Sequence, residues 1–181
     1  MPRYAAFLRG MNLGRRRLAN ATLRAHVEAL GFTDVATFRA SGNVILSAAE
    51  GESIEDVARR LEAGLEQALD YAVPVFARDA RQLRSIAAHE PFDADLVAAA
   101  KGKLQVMLLS AAPTAATRRQ VLAHATDDDR LALRGCELYW LPSGGILDSP
   151  LDLKAIAALL GSATMRTKGT IDLIAARHFA A

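Results

Sequence analysis

Cysteine is almost absent from this 181-residue chain: Cys136 stands alone, so no internal disulfide can form and the thiol count fits a reducing compartment. Long apolar runs are missing too. No stretch approaches the roughly 18 apolar residues of a membrane-spanning helix, and Tyr4-Ala5-Ala6-Phe7-Leu8 is too short for the core of a signal peptide. These lacks predict a cytoplasmic protein with no membrane partner. Histidine is scarce and scattered. His26, His89, His124 and His178 form no HExxH, CxxC-type or calcium-loop spacing, so neither a metal site nor a cofactor is expected. Cys136, in an expected hairpin turn, has no visible base to activate it.

The sharpest lack is of negative charge. The first acid is Glu28, and six of the 22 basic residues precede it, leaving 16 against 20 acids beyond. An N-terminal +6 therefore faces −4 elsewhere, although the whole chain is only +2. Such asymmetry points to an anionic partner.

What is present is a basic, glycine-bearing turn between the first apolar strand and the first helix, Arg9-Gly10-Met11-Asn12-Leu13-Gly14-Arg15-Arg16-Arg17. Gly10 and Gly14 tolerate positive φ, and Asn12 does so better than most side chains, so backbone N–H groups can turn toward one point and attract an anion. The helix that follows adds unpaired N–H groups and the positive end of its dipole. The turn is no Walker A loop, which needs Gly-Lys-Ser/Thr, and no dinucleotide fingerprint, because Gly10 and Gly14 stand four apart. Its plain alternative is a solvated connection, since surface charge needs no special explanation.

Hydrophobic periodicity orders the rest. Residues 3–9 read as a buried strand, and Leu23, Val27 and Leu30 mark a helix capped by Asn20 or Thr22 and stopped by Gly31. Residues 35–39 and 43–47 read as a hairpin turned at Ala40-Ser41-Gly42. Ser53 with Asp56 resembles a capping box ahead of a long helix striped by Ile54, Val57, Ala58, Leu61, Leu65, Ala68 and Leu69. The run Ala72-Val73-Pro74-Val75-Phe76-Ala77 supplies a strand in which Pro74 belongs at an edge or at the start. This order, βαββαβ, predicts a ferredoxin-like first half over residues 1–92.

After a helix over 79–88 and an irregular crossing, residues 103–181 give an apolar strand at 104–109 and a helix at 114–124. A hairpin of 130–134 with 137–141 follows, turned at Gly135-Cys136, and then helices at 151–160 and 170–179. The expectation is an α+β chain whose second half contains βαββ and C-terminal helices, packed with the first half as one compact unit. The repeated order suggests duplication without a sequence repeat.

The strings Leu8-Arg9-Gly10-Met11-Asn12 with Gly14, Leu30-Gly31-Phe32 and Thr37-Phe38-Arg39-Ala40-Ser41-Gly42-Asn43-Val44 resemble the bacterial family called domain of unknown function 1697. Glu90-Pro91-Phe92, Val106-Met107-Leu108-Leu109, Leu138-Tyr139-Trp140-Leu141-Pro142 and Ala163-Thr164-Met165-Arg166 resemble its later blocks. The resemblance implies an α+β fold and brings no activity. Where members of that family carry Ser-Lys after the tyrosine-containing strand and Arg-Asn-Trp near the end, this chain has Ser149-Pro150 and Arg166-Thr167-Lys168. Any role of that lysine or asparagine is missing at the matched positions, with Lys154 and Lys168 the cations that could substitute.

The ligand-binding expectation covers Arg9, Gly10, Asn12, Gly14, Arg15, Arg16, Arg17, Ser41, Gly42 and Asn43, together with Arg166, where hydroxyls and cations crowd ahead of the last helix. Ser41-Gly42-Asn43 also reads as an ordinary turn. An antiparallel sheet would set the end of the first strand beside the start of the third, bringing Arg9 and Asn12 to Asn43. Three readings follow. The first is a binder of an anionic ligand, nucleic acid or nucleotide phosphate. The second is an enzyme or sensor for a phosphorylated metabolite, although no acid, base or nucleophile stands out. The third is an interaction module for an acidic protein. Reading of RNA through the sheet is disfavoured, because Asn43-Val44-Ile45-Leu46-Ser47 has no aromatic platform for bases.

Overall fold

Continuous burial along the first strand, from Tyr4 to Leu8, sets it inside a sheet covered on both faces. The structure, a computed structural model, describes residues 1–11, 18–39 and 42–180. The chain divides into two units, Met1–Ser85 with Ile174–Ala181, and Ile86–Leu173. The first unit contains β1 (Arg3–Leu8), α1 (Asn20–Ala29), β2 (Thr33–Thr37), β3 (Asn43–Ser47), α2 (Ile54–Leu69) and β4 (Val75–Asp79). Its strands lie in the order β2-β3-β1-β4, and each neighbour is antiparallel. Residues two apart on the strands, Tyr4, Ala6 and Leu8 with Val44 and Leu46, meet residues one helical turn apart, Leu23 and Val27 of α1 and Val57, Leu61 and Leu65 of α2. Truncating one such leucine to alanine costs about 2–5 kcal/mol, so this stripe fixes which side of the sheet the helices take.

Both ends of α2 follow from local chemistry. Ser53 Oγ accepts the Asp56 amide at 3.1 Å and donates its own proton to Asp56 Oδ2 at 2.7 Å, and the helix stops at Asp70 in the left-handed region, φ 60°. The start of α1 departs from expectation. Ala19 holds the cap position without a side-chain bond, while Asn20 lies inside the helix and its Nδ2 donates to Arg39 O at 3.3 Å. A tertiary bond to the hairpin has taken the side chain that local propensity assigned to the cap. Gly31 does turn the chain out of α1, at φ 87°. Pro74 directly precedes the edge strand β4, where its missing N–H costs no ladder bond.

The elements that follow are α3 (Ala80–Ala88), α4 (Ala94–Ala99), β5 (Gln105–Leu109), α5 (Ala115–Leu122), β6 (Arg130–Arg134), β7 (Glu137–Leu141), α6 (Leu153–Leu160), β8 (Ala163–Thr167) and α7 (Lys168–His178). The division between units falls inside α3 and α7. The second sheet has the order β6-β7-β5-β8, again antiparallel throughout, over a core of Leu109, Val121, Leu138, Trp140 and Ile156. Two elements were not legible in the sequence: α4, in the stretch read as an irregular crossing, and β8. Ala163-Thr164-Met165-Arg166-Thr167 looks like a polar approach to a helix, yet all five residues pair with β5, from Leu109↔Ala163 to Gln105↔Thr167. Cross-strand partners, not intrinsic preference, make it a strand. The second half therefore contains a full βαββαβ series. Among the described residues, no helix is long and apolar enough to cross a membrane.

Candidate functional site

Antiparallel register brings the end of β1 to the hairpin between β2 and β3. Phe7 lies opposite Asn43, and one residue further the Leu8 amide donates to Gly42 O at 2.8 Å, while the Arg9 amide donates to Pro74 O at 2.9 Å. The last rung of β1 is thus tied to both neighbouring segments before Gly10 turns the chain away at φ 78°. Glycine is required at position 42 for two reasons. Its φ is 67°, and a Cβ there would stand 3.0 Å from Met11 Cγ and 3.2 Å from Leu8 Cβ. Asn43 is 1% exposed, and its Nδ2 donates to Phe38 O at 2.9 Å while the Phe38 amide donates to Asn43 O at 3.0 Å. Its amide closes the hairpin from inside, because a buried polar side chain without such a bond would carry a desolvation cost of about 1–3 kcal/mol.

Cations gather around the same hairpin. The Arg39 guanidinium carbon lies 5.5 Å from the Phe38 ring centroid, and that of Arg177, arriving on α7, lies at the same distance. The His178 ring meets Phe38 edge-on, with centroids 6.4 Å apart and planes at 84°. Phe38 itself is 8% exposed, whereas Arg9, Arg39 and Arg177 are exposed. The ring therefore acts as a platform that orders guanidiniums rather than as a surface for a base. Burial, with help from the Arg3 and Arg177 charges, holds the His178 imidazole below its ordinary pKa, so it is neutral near pH 7. Arg3 anchors this end of α7 by donating from Nη1 to His178 O at 3.2 Å. Neither Arg9 nor Arg177 has an acid within ion-pair distance among the described residues. Arg39 is held at φ 57°, an uncommon conformation for a large side chain.

Of the residues singled out from sequence, Arg9, Gly10, Gly42 and Asn43 come together at this end of the first sheet. Asn12, Gly14, Arg15, Arg16, Arg17 and Ser41 lie outside the described residues. Arg166 belongs to the second unit, on β8 opposite Val106, where its Nη1 donates to Met165 O at 2.8 Å and Thr164 Oγ1 at 2.9 Å. Burial pulls its guanidinium down to about 10. Phe38, Arg39 and Arg177 were not singled out. Arg39 adjoins the expected hairpin and was within reach of sequence reasoning; Arg177 comes from the far end of the chain, and no local pattern announces its arrival. Among the described residues, no three His, Cys, Asp or Glu side chains are grouped to hold a metal ion. The side chains gathered around the Phe38 ring include two guanidiniums and a neutral imidazole, groups suited to holding and orienting an anion.

The profile of a family described as "Protein of unknown function (DUF1697)" matches residues 1–139. No curated protein matches the chain significantly. Among solved structures, the conserved bacterial protein SP0830 from Streptococcus pneumoniae superposes with a TM-score of 0.68 at 17% identity, covering 97% of each chain. That likeness concerns the fold.

Proposed function

The chain belongs to the DUF1697 family of proteins of unknown function, and we propose, from its site rather than from its family, that it binds an anionic ligand, nucleic acid or nucleotide phosphate, at the cationic end of its first sheet. The observation that carries this reading is the pair of guanidiniums, Arg39 and Arg177, each 5.5 Å from the Phe38 ring. A ring that orders a guanidinium in advance lowers the entropy lost on binding, and the planar fork of arginine matches phosphate oxygens two at a time. Arg9 extends the charge along the sheet end, and Gly10, Asn12, Gly14, Arg15, Arg16, Arg17 and Ser41 join the proposed site through the sequence between and beside these elements. Arg166 has no part in this reading.

The test uses a fluorescently labelled single-stranded oligothymidylate titrated with the protein at several salt concentrations. Each phosphate contact contributes about −0.7 to the slope of log K against log salt. The double variant Arg39→Ala/Arg177→Ala is expected to flatten the slope by about 1.4, and Arg15→Ala/Arg16→Ala/Arg17→Ala by about 2, with circular dichroism unchanged. Binding of a mononucleotide without oligonucleotide binding would identify nucleotide phosphate as the ligand, and binding of inorganic phosphate with neither would favour the phosphorylated-metabolite reading. If oligonucleotide, nucleotide and phosphate all fail to bind at low salt, the site is a solvated turn.

A further inference from the structure

A groove of about 430 Å³ opens in the second unit between the end of α4, the turn before β6 and the end of β7. Leu141 and Pro142 give it an apolar floor, and four charges of two signs stand in its walls: Lys101 and Arg130 against Asp127 and Asp128. Some charges of this chain are paired, as Arg24 is with Glu28 at 2.7 Å and Arg59 with Asp56 at 2.9 Å. These four are not. None of them makes an ion pair or a side-chain hydrogen bond among the described residues, although all line one groove.

The backbone segments that bear these charges are braced by hydrogen bonds and close packing. The turn carrying Asp127 and Asp128 is closed on itself, the Thr126 amide donating to Asp129 O at 2.9 Å and the Asp129 amide to Thr126 Oγ1 at 2.8 Å. Asp129 is fully buried, and its Oδ1 accepts from Trp140 Nε1 at 2.9 Å, Ser149 Oγ at 2.7 Å and the Ser143 amide at 3.3 Å, which locks that turn to the groove wall. Arg130 opens β6 opposite Leu141. Lys101 precedes Gly102, where a Cβ would stand 2.5 Å from Pro142 Cγ and 2.7 Å from Pro142 O, so only glycine permits this approach. A groove lined by both signs of charge beside apolar side chains is complementary to a small ligand that carries an anionic and a cationic group of its own.

We infer that this groove binds a small zwitterion, a free α-amino acid or a short peptide. Its carboxylate meets Arg130 and Lys101, its ammonium meets Asp127 and Asp128, and its side chain covers Leu141 and Pro142. An arginine fork holds a carboxylate bidentately, and a charge-assisted bond contributes roughly twice a neutral one. A second groove of about 400 Å³ shares Arg130 with the first, leaving room for ligands longer than one residue. This site is separate from the proposed anion site of the first unit and does not depend on it.

The test measures binding of leucine, of the dipeptide alanyl-leucine and of its N-acetyl and C-amide forms by calorimetry. Emission of Trp140 gives a second readout, since it is the sole tryptophan and its ring nitrogen is bonded to the carboxylate that locks the groove wall. Saturable binding of leucine or of the free dipeptide is expected, with a loss of about tenfold or more when either end is capped. Arg130→Gln is expected to erase the discrimination against the C-amide, and Asp127→Asn/Asp128→Asn the discrimination against the N-acetyl form, with melting temperatures preserved. Tighter binding of leucine would identify a free amino acid as the ligand, and tighter binding of the dipeptide a peptide. Absence of saturation up to about 10 mM, or capped forms binding as well as free ones, would overturn the inference.

Discussion

Asp129 shows how one side chain sets a pH response. Burial pushes its carboxyl up, but donation from Ser149, Trp140 and Ser143 outweighs this and holds it below the ordinary carboxylate range. Its unfolded counterpart titrates near 3.9, so as the pH falls the unfolded chain takes up the proton first. The stability contributed by Asp129 is present above that value and is lost as pH drops through the lower native one. Urea midpoints measured between about pH 5 and 2 should therefore fall more steeply for the parent than for Asp129→Asn, which at neutral pH should already be less stable by about 1–3 kcal/mol. Arg39 presents the opposite relation between stability and function. Its left-handed φ of 57° stores about 1 kcal/mol of strain, and its contact with Phe38 returns about 0.5–1 kcal/mol. Arg39→Gly should leave the melting temperature nearly unmoved while weakening oligonucleotide binding, and a large stability change would show that the residue serves the hairpin alone.

Elements were legible where their causes are local. The α2 stripe, its Ser53 cap, the glycine that ends α1, the hairpin at Gly42 and the place of Pro74 could all be read from spacing, because each depends on neighbours in the chain. Strand β8 and the cap of α1 could not, because each depends on a partner remote in sequence: β5 for the first, Arg39 O for the second. The candidate site divides along the same line. Arg9 and the glycine turns were visible, whereas Phe38 as a platform and Arg177 as its second cation emerge only when α7 returns to the first unit. A direct comparison tests this account of the caps. Ser53→Ala should cost about 1 kcal/mol in chemical denaturation, while Thr22→Ala, which removes no cap, should stay within about 0.5 kcal/mol.

Across the whole molecule the second sheet repeats the first down to single bonds. Strand order β2-β3-β1-β4 recurs as β6-β7-β5-β8. Arg78, opposite Ala5, and Arg166, opposite Val106, occupy equivalent places, and each donates from Nη1 to the carbonyl of the residue before it, at 2.9 and 2.8 Å. The repeat escapes the sequence because unlike residues make the same contact: Leu8 N to Gly42 O at 2.8 Å in one sheet is Leu109 N to Cys136 O at 2.9 Å in the other. The segments that follow the two rungs differ: Arg9 comes directly after Leu8, whereas the segment after Leu109 reads Ser110-Ala111-Ala112-Pro113-Thr114.

That twinned rung gives the protein an internal clock. Two amide protons of the same residue type, in the same position of the same ladder, should trade with deuterium on comparable timescales when no ligand is present, because each is released by fraying at a strand end. An anion that clamps Arg39 and Arg177 across the hairpin should slow the Leu8 proton and leave the Leu109 proton at its former rate. Equal slowing of both would report a general tightening of the chain instead, and would place the ligand somewhere other than beside Phe38.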